Sequence, residues 1–459
     1  MALFRTLAAA LLPSAVALRR FHADAVSPRY RQELGNLEDL QYFGDMRIGG
    51  QPLKAILDTG SFELLVFSQN CPNCGVAAEY NEETSKTFKL GSVTKVHAYG
   101  SGSCQAKDGY DTVTVGTVTA QSQAIWVATN CNIPILVQAS FNAIAGLGPP
   151  GQPAYSAESE MKVLDDMEQR FKSMNETVPK ELLDQRVEIQ TVIDKAKTKH
   201  ELLDTMGVTT FSTCLGRRPN SPGYLIWNDE TRKGKPGVKQ IPVVGNITWG
   251  VSVKNMNFHG LSADENIGCG QGCGAVVDTG TSLIAVPTPL YQAIANHIRN
   301  LGADLDCSDL TKFPDLTMDV GGQHIRFPPS AYLGSYVGKM NSQVEQFIST
   351  EKLGESGVPC QLLLMDMGPV QKTALGPMMV LGMPFFREYY TTFDLSGGPG
   401  QRSIFVSPAD EKCEPQANGV VSSDRSMQSL RYMPRQVNAS ALRVPHWLKR
   451  GKGAGVRSL

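Results

Sequence analysis

Seven consecutive residues of this chain have a second copy. Ala55-Ile56-Leu57-Asp58-Thr59-Gly60-Ser61 is matched by Ala275-Val276-Val277-Asp278-Thr279-Gly280-Thr281, with nearly half the chain between them. At average residue usage of about 5–7% per type, a chain of this size holds Asp-Thr-Gly about 0.1 times by chance. Each copy runs three apolar residues into Asp-Thr-Gly and continues with a hydroxyl residue and more apolar ones. An apolar strand thus delivers an aspartate to a tight turn, where glycine permits either close backbone approach or positive φ. The threonine hydroxyl can satisfy a backbone group in that crowded place. So long a period predicts two similar halves, each ending a buried strand on one carboxylate.

The rest of the chain has the texture such halves need. Short β-prone runs broken by Gly, Asn and Pro fill residues 40–150 (AILDTGSFELLVF, YDTVTVGTVTA, SQAIWVA) and return over 210–410 (TTFSTCLG, YLIW, AVVDTGTSLIAV, FPDLTMDV, YYTTFDLS, SIFVSP). Closely spaced short strands predict an all-β sandwich or barrel in each half. With 41% hydrophobic and 7% aromatic residues, the chain can bury a sizeable core and is not a disordered sequence. A net charge of -1 offers no electrostatic footprint for nucleic acid, and none is expected as a partner. No apolar run reaches the roughly 18–20 residues of a membrane-spanning helix.

Between the two β regions lies a different texture. Residues 158–204 carry 20 charged side chains. Met161, Leu164, Met167, Phe171 and Met174 recur at spacings of three or four, which predicts one apolar face of a helix. Pro179 stands where a second helix can begin, with Leu183, Val187 and Ile193 along its inner side. The expectation is a peripheral helical insertion over a β scaffold, its stripe serving packing.

The ends read differently again. Met1–Arg5 is basic, Thr6–Leu18 is apolar but too short for a membrane span, and Ala15-Val16-Ala17 fits a cleavage site, so residues 1–17 are expected to be a signal peptide. Residues 18–36 would be a short prosegment, 37–210 the first lobe with the 158–204 insertion, and 211–413 the second. Residues 414–459 hold eight Lys/Arg against two acids without periodicity, a composition expected to stay solvated and disordered. Ten cysteines in a secretory chain favour disulfides. Cys71-Pro-Asn-Cys74 is only half of a zinc site, and no metal or other cofactor is expected. Asn175, Asn246 and Asn438 open glycosylation sequons.

Two Asp-Thr-Gly loops that face each other would bring two carboxylates into contact. Like charges there cannot both ionise, so the pair holds one proton. One carboxylate is then a general base and the other a general acid at the same pH, able to deprotonate a water, protonate a carbonyl oxygen and protonate a leaving amine. Competing motifs fail on context. Gly270-x-Gly272-x-x-Ala275 precedes a strand where a dinucleotide site needs a helix. No P-loop or G-x-S-x-G elbow is present, and the seven histidines lack metalloprotease spacing.

From Leu37 to Pro408 the chain resembles the pepsin-like aspartic peptidases. Beyond the two loops, Tyr42-Phe43-Gly44 matches the strand before the first. Tyr99-Gly100-Ser101-Gly102-Ser103 looks like the family's flap hairpin, and Gly109-Tyr110-Asp111-Thr112-Val113 like the strand after it. Ile144-Ala145-Gly146-Leu147 and Val380-Leu381-Gly382 look like the elements crossing behind each loop. Phe327-Pro328-Pro329-Ser330-Ala331-Tyr332 and Arg387 through Asp394 match further landmarks. The resemblance implies a bilobal double β-barrel with pseudo-twofold symmetry and a shared-proton dyad, for which this family is the standard example.

Carried over residue by residue, it implies that Asp58 and Asp278 hold the nucleophilic water. Thr59 and Thr279 would bond across the lobe interface beside Gly60 and Gly280, while Ser61 and Thr281 would donate to the outer carboxylate oxygens. Tyr99 would close over an extended polypeptide substrate paired by Gly100 and Ser101. Ile56, Ile135, Phe141 and Ile144 would line the main side-chain pocket, favouring bulky apolar residues at the cut. It also implies the bridges Cys269–Cys273, Cys307–Cys360 and, shortened, Cys71–Cys74; the cysteines left over then pair as Cys104–Cys131 and Cys214–Cys413. The chain departs from the pattern at Leu65, where the family usually has a tryptophan bonded to the flap tyrosine, and in the length of the 158–204 insertion. The stretch between the cleavage site and the first matching strand is short for a prosegment, although Arg19, Arg20, Arg29 and Arg31 could pair with the carboxylates. The expectation is a monomeric, acid-favoured aspartic endopeptidase of the secretory pathway, secreted or held in an acidic lysosome- or vacuole-like compartment. The alternative is an inactive relative that binds peptides or inhibits other proteins.

Overall fold

The first copy of the repeat closes the strand Gln51–Asp58, and the second follows the strand Cys273–Val277. Residues 55–58 and 273–277 are buried throughout, which is why they read as unbroken apolar runs and not as alternating ones. Each has a parallel partner behind it: Ala143–Gly146 pairs with residues 55–58, and Gly376–Leu381 with residues 274–277. The elements expected to cross behind the loops do so, with Leu147 donating its N–H to the Asp58 carbonyl and Asp278 donating to that of Leu381.

The computed structural model describes residues 29–445 except 197–199, 234, 260–264, 303–304, 355–356, 370 and 417–428. The signal-peptide assignment, Arg19 and Arg20 lie outside the described residues. Among those described, a 13-stranded sheet runs from Lys239–Pro242 through Tyr389–Asp394, Thr210–Leu215 and Gly223–Trp227, into Tyr30–Leu37 and on through the first half to Lys89–Tyr99. A nine-stranded sheet forms the body of the second half, and a three-stranded one joins Gln361–Leu362, Leu333–Val337 and Arg435–Asn438. The architecture is the expected all-β, bilobal one. One apolar core runs through both halves. At its centre Phe211 stacks on Phe393 at 4.8 Å and Trp249 packs against both. The buried Trp249 indole donates to the Leu147 carbonyl at 2.9 Å, as a buried indole must find an acceptor.

The insertion forms three helices, α1 (Gln152–Ser173), α2 (Lys180–Ala196) and α3 (Leu202–Thr205). Pro179 stands just before α2. Of the α1 stripe only Leu164 is buried, while Met167 and Met174 are exposed; on α2, Ile193 is buried but Leu183 and Val187 are not. The helical reading to residue 204 needs one correction. Leu202 and Leu203 are each 1% exposed and sit in the main core, so the peripheral part ends before α3. Replacing residues 158–196 with a short Gly-Ser link is expected to leave a folded protein. Leu202→Ala should instead cost about 2–5 kcal/mol in urea unfolding, as a cavity in a core that cannot collapse.

All five disulfides have the expected pairing, and no described cysteine is free. Cys214–Cys413 spans 199 residues and ties the start of the second half to the segment just beyond the strand Ser403–Pro408. Replacing both cysteines by serine should lower unfolding stability by on the order of 3–5 kcal/mol, since the unfolded chain regains a very long loop. An unchanged urea midpoint would mean that the crosslink does not constrain the unfolded state. Asn175 and Asn246 are exposed, whereas Asn438 is half-buried with its Oδ1 accepting from Ser440.

Residues 30–36, within the stretch read as prosegment, lie in the strand Tyr30–Leu37, paired with Gly223–Trp227 on one side and Gln41–Ile48 on the other. Arg29 bonds Asp229 and Arg31 bonds Glu414, so neither reaches the Asp-Thr-Gly loops. The tail is not solvated throughout. Residues 435–445 pack on the body, where Val437, Ala439, Ala441, Leu442 and Val444 are buried. Composition pointed to disorder because those apolar residues are small and scattered among polar ones.

Candidate active site

The two loops meet where the halves join. Thr59 N–H donates to Thr279 Oγ1 and Thr279 N–H to Thr59 Oγ1, both at 2.9 Å. Each hydroxyl donates onward to the opposite strand: Thr59 Oγ1 to the Val277 carbonyl at 2.9 Å, and Thr279 Oγ1 to the Leu57 carbonyl at 2.6 Å. The reciprocal set fixes the two turns against each other. Gly60 N–H donates to Asp58 Oδ1 at 2.9 Å and Gly280 N–H to Asp278 Oδ1 at 2.7 Å. Both glycines are places of close approach. A Cβ on Gly60 would lie 2.6 Å from the Asp278 carboxyl, and one on Gly280 would lie 2.2 Å from Asp58 Oδ1. Each turn therefore leaves room for the carboxyl of the other.

Asp58 and Asp278 are 3% and 1% exposed. Burial first, and the charge of Asp58 second, raise Asp278 to about 7, although Thr281, Gly280 and Arg443 work against the shift. This is the electrostatic signature of a carboxyl that keeps its proton while its neighbour is charged. The hydroxyls differ from the expected symmetry. Thr281 Oγ1 donates to Asp278 Oδ2 at 2.6 Å. Ser61 Oγ instead points to its own turn's Asp58 carbonyl, at 3.5 Å, and the Oδ2 of Asp58 is met by Arg443 Nη2 at 3.2 Å.

Above the loops, the strands Lys89–Tyr99 and Gly102–Val115 form a hairpin with Tyr99 opposite Gly102, leaving Gly100 and Ser101 at its tip. The Cys104–Cys131 bridge ties the hairpin, close to its tip, to the neighbouring strand in register. Burial, then the Asp58 and Glu63 charges, raise the Tyr99 hydroxyl well above the ordinary phenol range, so it stays protonated. Ile56, Ile135, Phe141 and Ile144 are all brought together in one buried cluster, with Tyr99 and Phe43 packed against it.

A family model described as eukaryotic aspartyl protease matches residues 41–399. The chain belongs to the eukaryotic aspartyl protease family. Pepsin A of Bos taurus is 29% identical over 390 residues, covering 82% of this chain and 86% of that protein. Pepsin A of Gallus gallus is 26% identical over 384 residues, with 82% and 87% covered. Cathepsin E-B of Xenopus laevis is 27% identical over 374 residues, with 79% of each covered.

Two features of this aspartyl protease family member escaped sequence reasoning. Leu65 is fully buried and lies opposite Trp126 on the neighbouring strand. The Trp126 indole donates to Glu63 Oε1 at 2.8 Å and packs its ring 4.7 Å from His97 on the flap arm. Burial opposes ionisation of Glu63, but Lys95, His97 and the Trp126 bond together hold it below the usual carboxylate range. A tryptophan thus adjoins the flap from a different strand and with a different acceptor. A cavity of about 460 Å³ lies beside this cluster, between α2 and the flap arm, lined among others by Glu63, Lys95, Trp126, Lys195 and Glu201.

The second feature is the tail. The strand Arg435–Asn438 adds in parallel to Leu333–Val337, Gln41 Nε2 donates to the Ala441 carbonyl at 3.0 Å, and Arg443 reaches the dyad. Only the excess of basic residues hinted at it. Their partners lie hundreds of residues away, where no local pattern can show them.

Proposed function

We propose that the protein is an aspartic endopeptidase in which Asp58 and Asp278 activate a water for attack on a peptide carbonyl. The observation that carries the reading is the exchange of glycine and carboxyl across the two turns, which confines both aspartates to one buried, proton-sharing pair. In the charged form one carboxylate takes a proton from the water as it attacks. The protonated partner donates to the carbonyl oxygen, and the tetrahedral adduct collapses as the amine leaves with a proton from the dyad. No covalent bond to the protein forms. Thr281 and the turn N–H groups hold the carboxyls in place, which is positioning prepared before the substrate arrives.

The flap hairpin closes over an extended peptide, and Tyr99 with the Ile56, Ile135, Phe141 and Ile144 cluster favours bulky apolar residues beside the scissile bond. Activity requires the singly protonated pair and so favours acid. Five disulfides support an oxidising compartment, within the secretory pathway or beyond it. The test is digestion of an unfolded protein across about pH 3 to 6, with and without a statine-type transition-state mimic. It uses the full chain and the full chain carrying Arg443→Glu, which frees Asp58. Cleavage that the mimic suppresses is the expected result. Failure of both folded forms to cut at any pH in that range would overturn the reading.

A further inference from the structure

We infer that residues 435–445 are an inhibitor built into the chain, an extended segment that fills the substrate cleft and caps the dyad with Arg443. The inference rests on the endopeptidase reading, and the segment uses the devices by which a cleft holds an extended peptide. Arg435–Asn438 adds a strand to the edge Leu333–Val337. Further along, Arg443 N–H donates to Ser282 Oγ at 2.9 Å, and Ser282 N–H donates back to the Arg443 carbonyl at 3.2 Å. Ser282 directly follows the second Asp-Thr-Gly-Thr turn. The alternate side chains Val437, Ala439 and Ala441, with Leu442 and Val444, bury against Leu283, Phe347, Met365 and Val380. The Pro445 carbonyl lies so close to the flap tip that a Cβ on Gly100 would meet it at 2.1 Å. The segment thus runs under the flap and across both turns.

Two observations separate an inhibitor from a substrate or a passive strap. A cleavable peptide must present its carbonyl to the dyad, but the Arg443 carbonyl is bonded to Ser282 and the group at the dyad is a guanidinium. That guanidinium is 8% exposed and meets Asp58 Oδ2 at 3.2 Å. A strap needs no charge there; burying one is worthwhile only against an opposite charge. The docking also stops short of completion, since Arg443 Nη1 is buried with no hydrogen-bond partner among the described residues. An unmet buried donor is costly and makes the segment easier to release.

The test compares full-length chains. Where the segment occupies the cleft in about 99% of molecules, opening it raises turnover and mimic affinity about 100-fold. Arg443→Glu sets like charges together at the dyad. Val437→Asp disrupts the added strand without touching the carboxylates. Both should cut an unfolded protein faster and bind a labelled statine-type mimic more tightly than the parent. A synthetic peptide of residues 435–445 should then inhibit the Val437→Asp chain competitively, and the same peptide with Arg443→Ala should be at least about tenfold weaker. Parental turnover and mimic affinity in both folded variants would overturn the inference. If neither variant cuts but both bind the mimic more tightly and the peptide displaces it, the segment's place in the cleft is supported and the endopeptidase reading alone fails.

Discussion

Asp278→Asn is expected to abolish peptide-bond hydrolysis while raising the protein's melting temperature at neutral pH and leaving it unchanged in acid. The activity half follows from the shared proton. An amide keeps the size of the carboxyl and can still meet the Gly280 N–H and Thr281 hydroxyl that hold Asp278, but it cannot exchange a proton with the water or the leaving amine. General acid–base roles contribute about 10²–10⁴ in rate, and here both roles fail with the water site, so the loss should reach or pass the upper end. Asp58→Asn should lose as much. The stability half follows from the raised affinity of Asp278 for its proton, to about 7 against 3.8 for an ordinary aspartate. A carboxyl whose pKa rises on folding favours the native state when protonated. It opposes that state increasingly as pH climbs from about 4 through 7, where the native form must surrender a proton that the unfolded chain has already lost. Removing the group removes that opposition, on the order of 2–4 kcal/mol above neutrality and nothing below about pH 4. Thermal melts of parent and variant at pH 4 and pH 8 give the comparison; equal shifts at both values would remove proton sharing as the cause. Turnover is best measured in the Arg443→Glu background, where Asp58 is free of its cation.

The parts of this molecule that the sequence disclosed are those whose cause is local or repeated. Two identical tripeptides at the ends of apolar strands disclose a symmetric pair of turns, because strand, turn and carboxyl are contiguous in each copy. The periodicity of α1 and α2 disclosed helices for the same reason, but it overstated their contacts: Met167 and Met174 face solvent, and in α1 only Ala157 and Leu164 are buried. Long-range pairing has no such signature. Arg431, placed in a segment read as disordered, is 6% exposed and bonds Glu388 at 2.8 Å, beside Arg217 and Asp315. Arg435 meets Asp39 and the Arg217 carbonyl. In each case a charge that looked solvated is buried or half-buried against a partner distant in the sequence. The resemblance supplied what pattern could not, including the flap and three of the disulfides. It also carried an expected symmetry, in Ser61 and Thr281, that this chain breaks because Arg443 supplies the contact on Asp58.

Gly280→Ala is expected to cost about as much function as losing a carboxyl, though it alters no titratable group. The sequence left open whether the glycines of the repeat serve positive φ or close approach. Neither Gly60 nor Gly280 has a positive φ, so alanine meets no backbone strain at either position. The obstacle is the other half of the molecule. A methyl on Gly280 would lie 2.2 Å from Asp58 Oδ1 and 2.5 Å from its carboxyl carbon, where ordinary contact needs at least about 3.4 Å. Asp58 cannot retreat freely, since Gly60 N–H holds its Oδ1 and the reciprocal Thr59–Thr279 bonds pin the turn. The carboxyl must therefore shift by about 1 Å or the two halves must part. A displacement of that size at reacting groups costs about 10²-fold or more in rate. Overpacking at such a junction costs about 1–3 kcal/mol in stability. Gly270→Ala, whose added Cβ would meet nothing within 4 Å, serves as the control and should match its parent in both measurements. Both are read in the Arg443→Glu background, by turnover at acid pH and by urea midpoint. Turnover near the parent's in folded Gly280→Ala protein would mean that the turns do not need each other's glycine, and the interlocked pair would lose its structural basis.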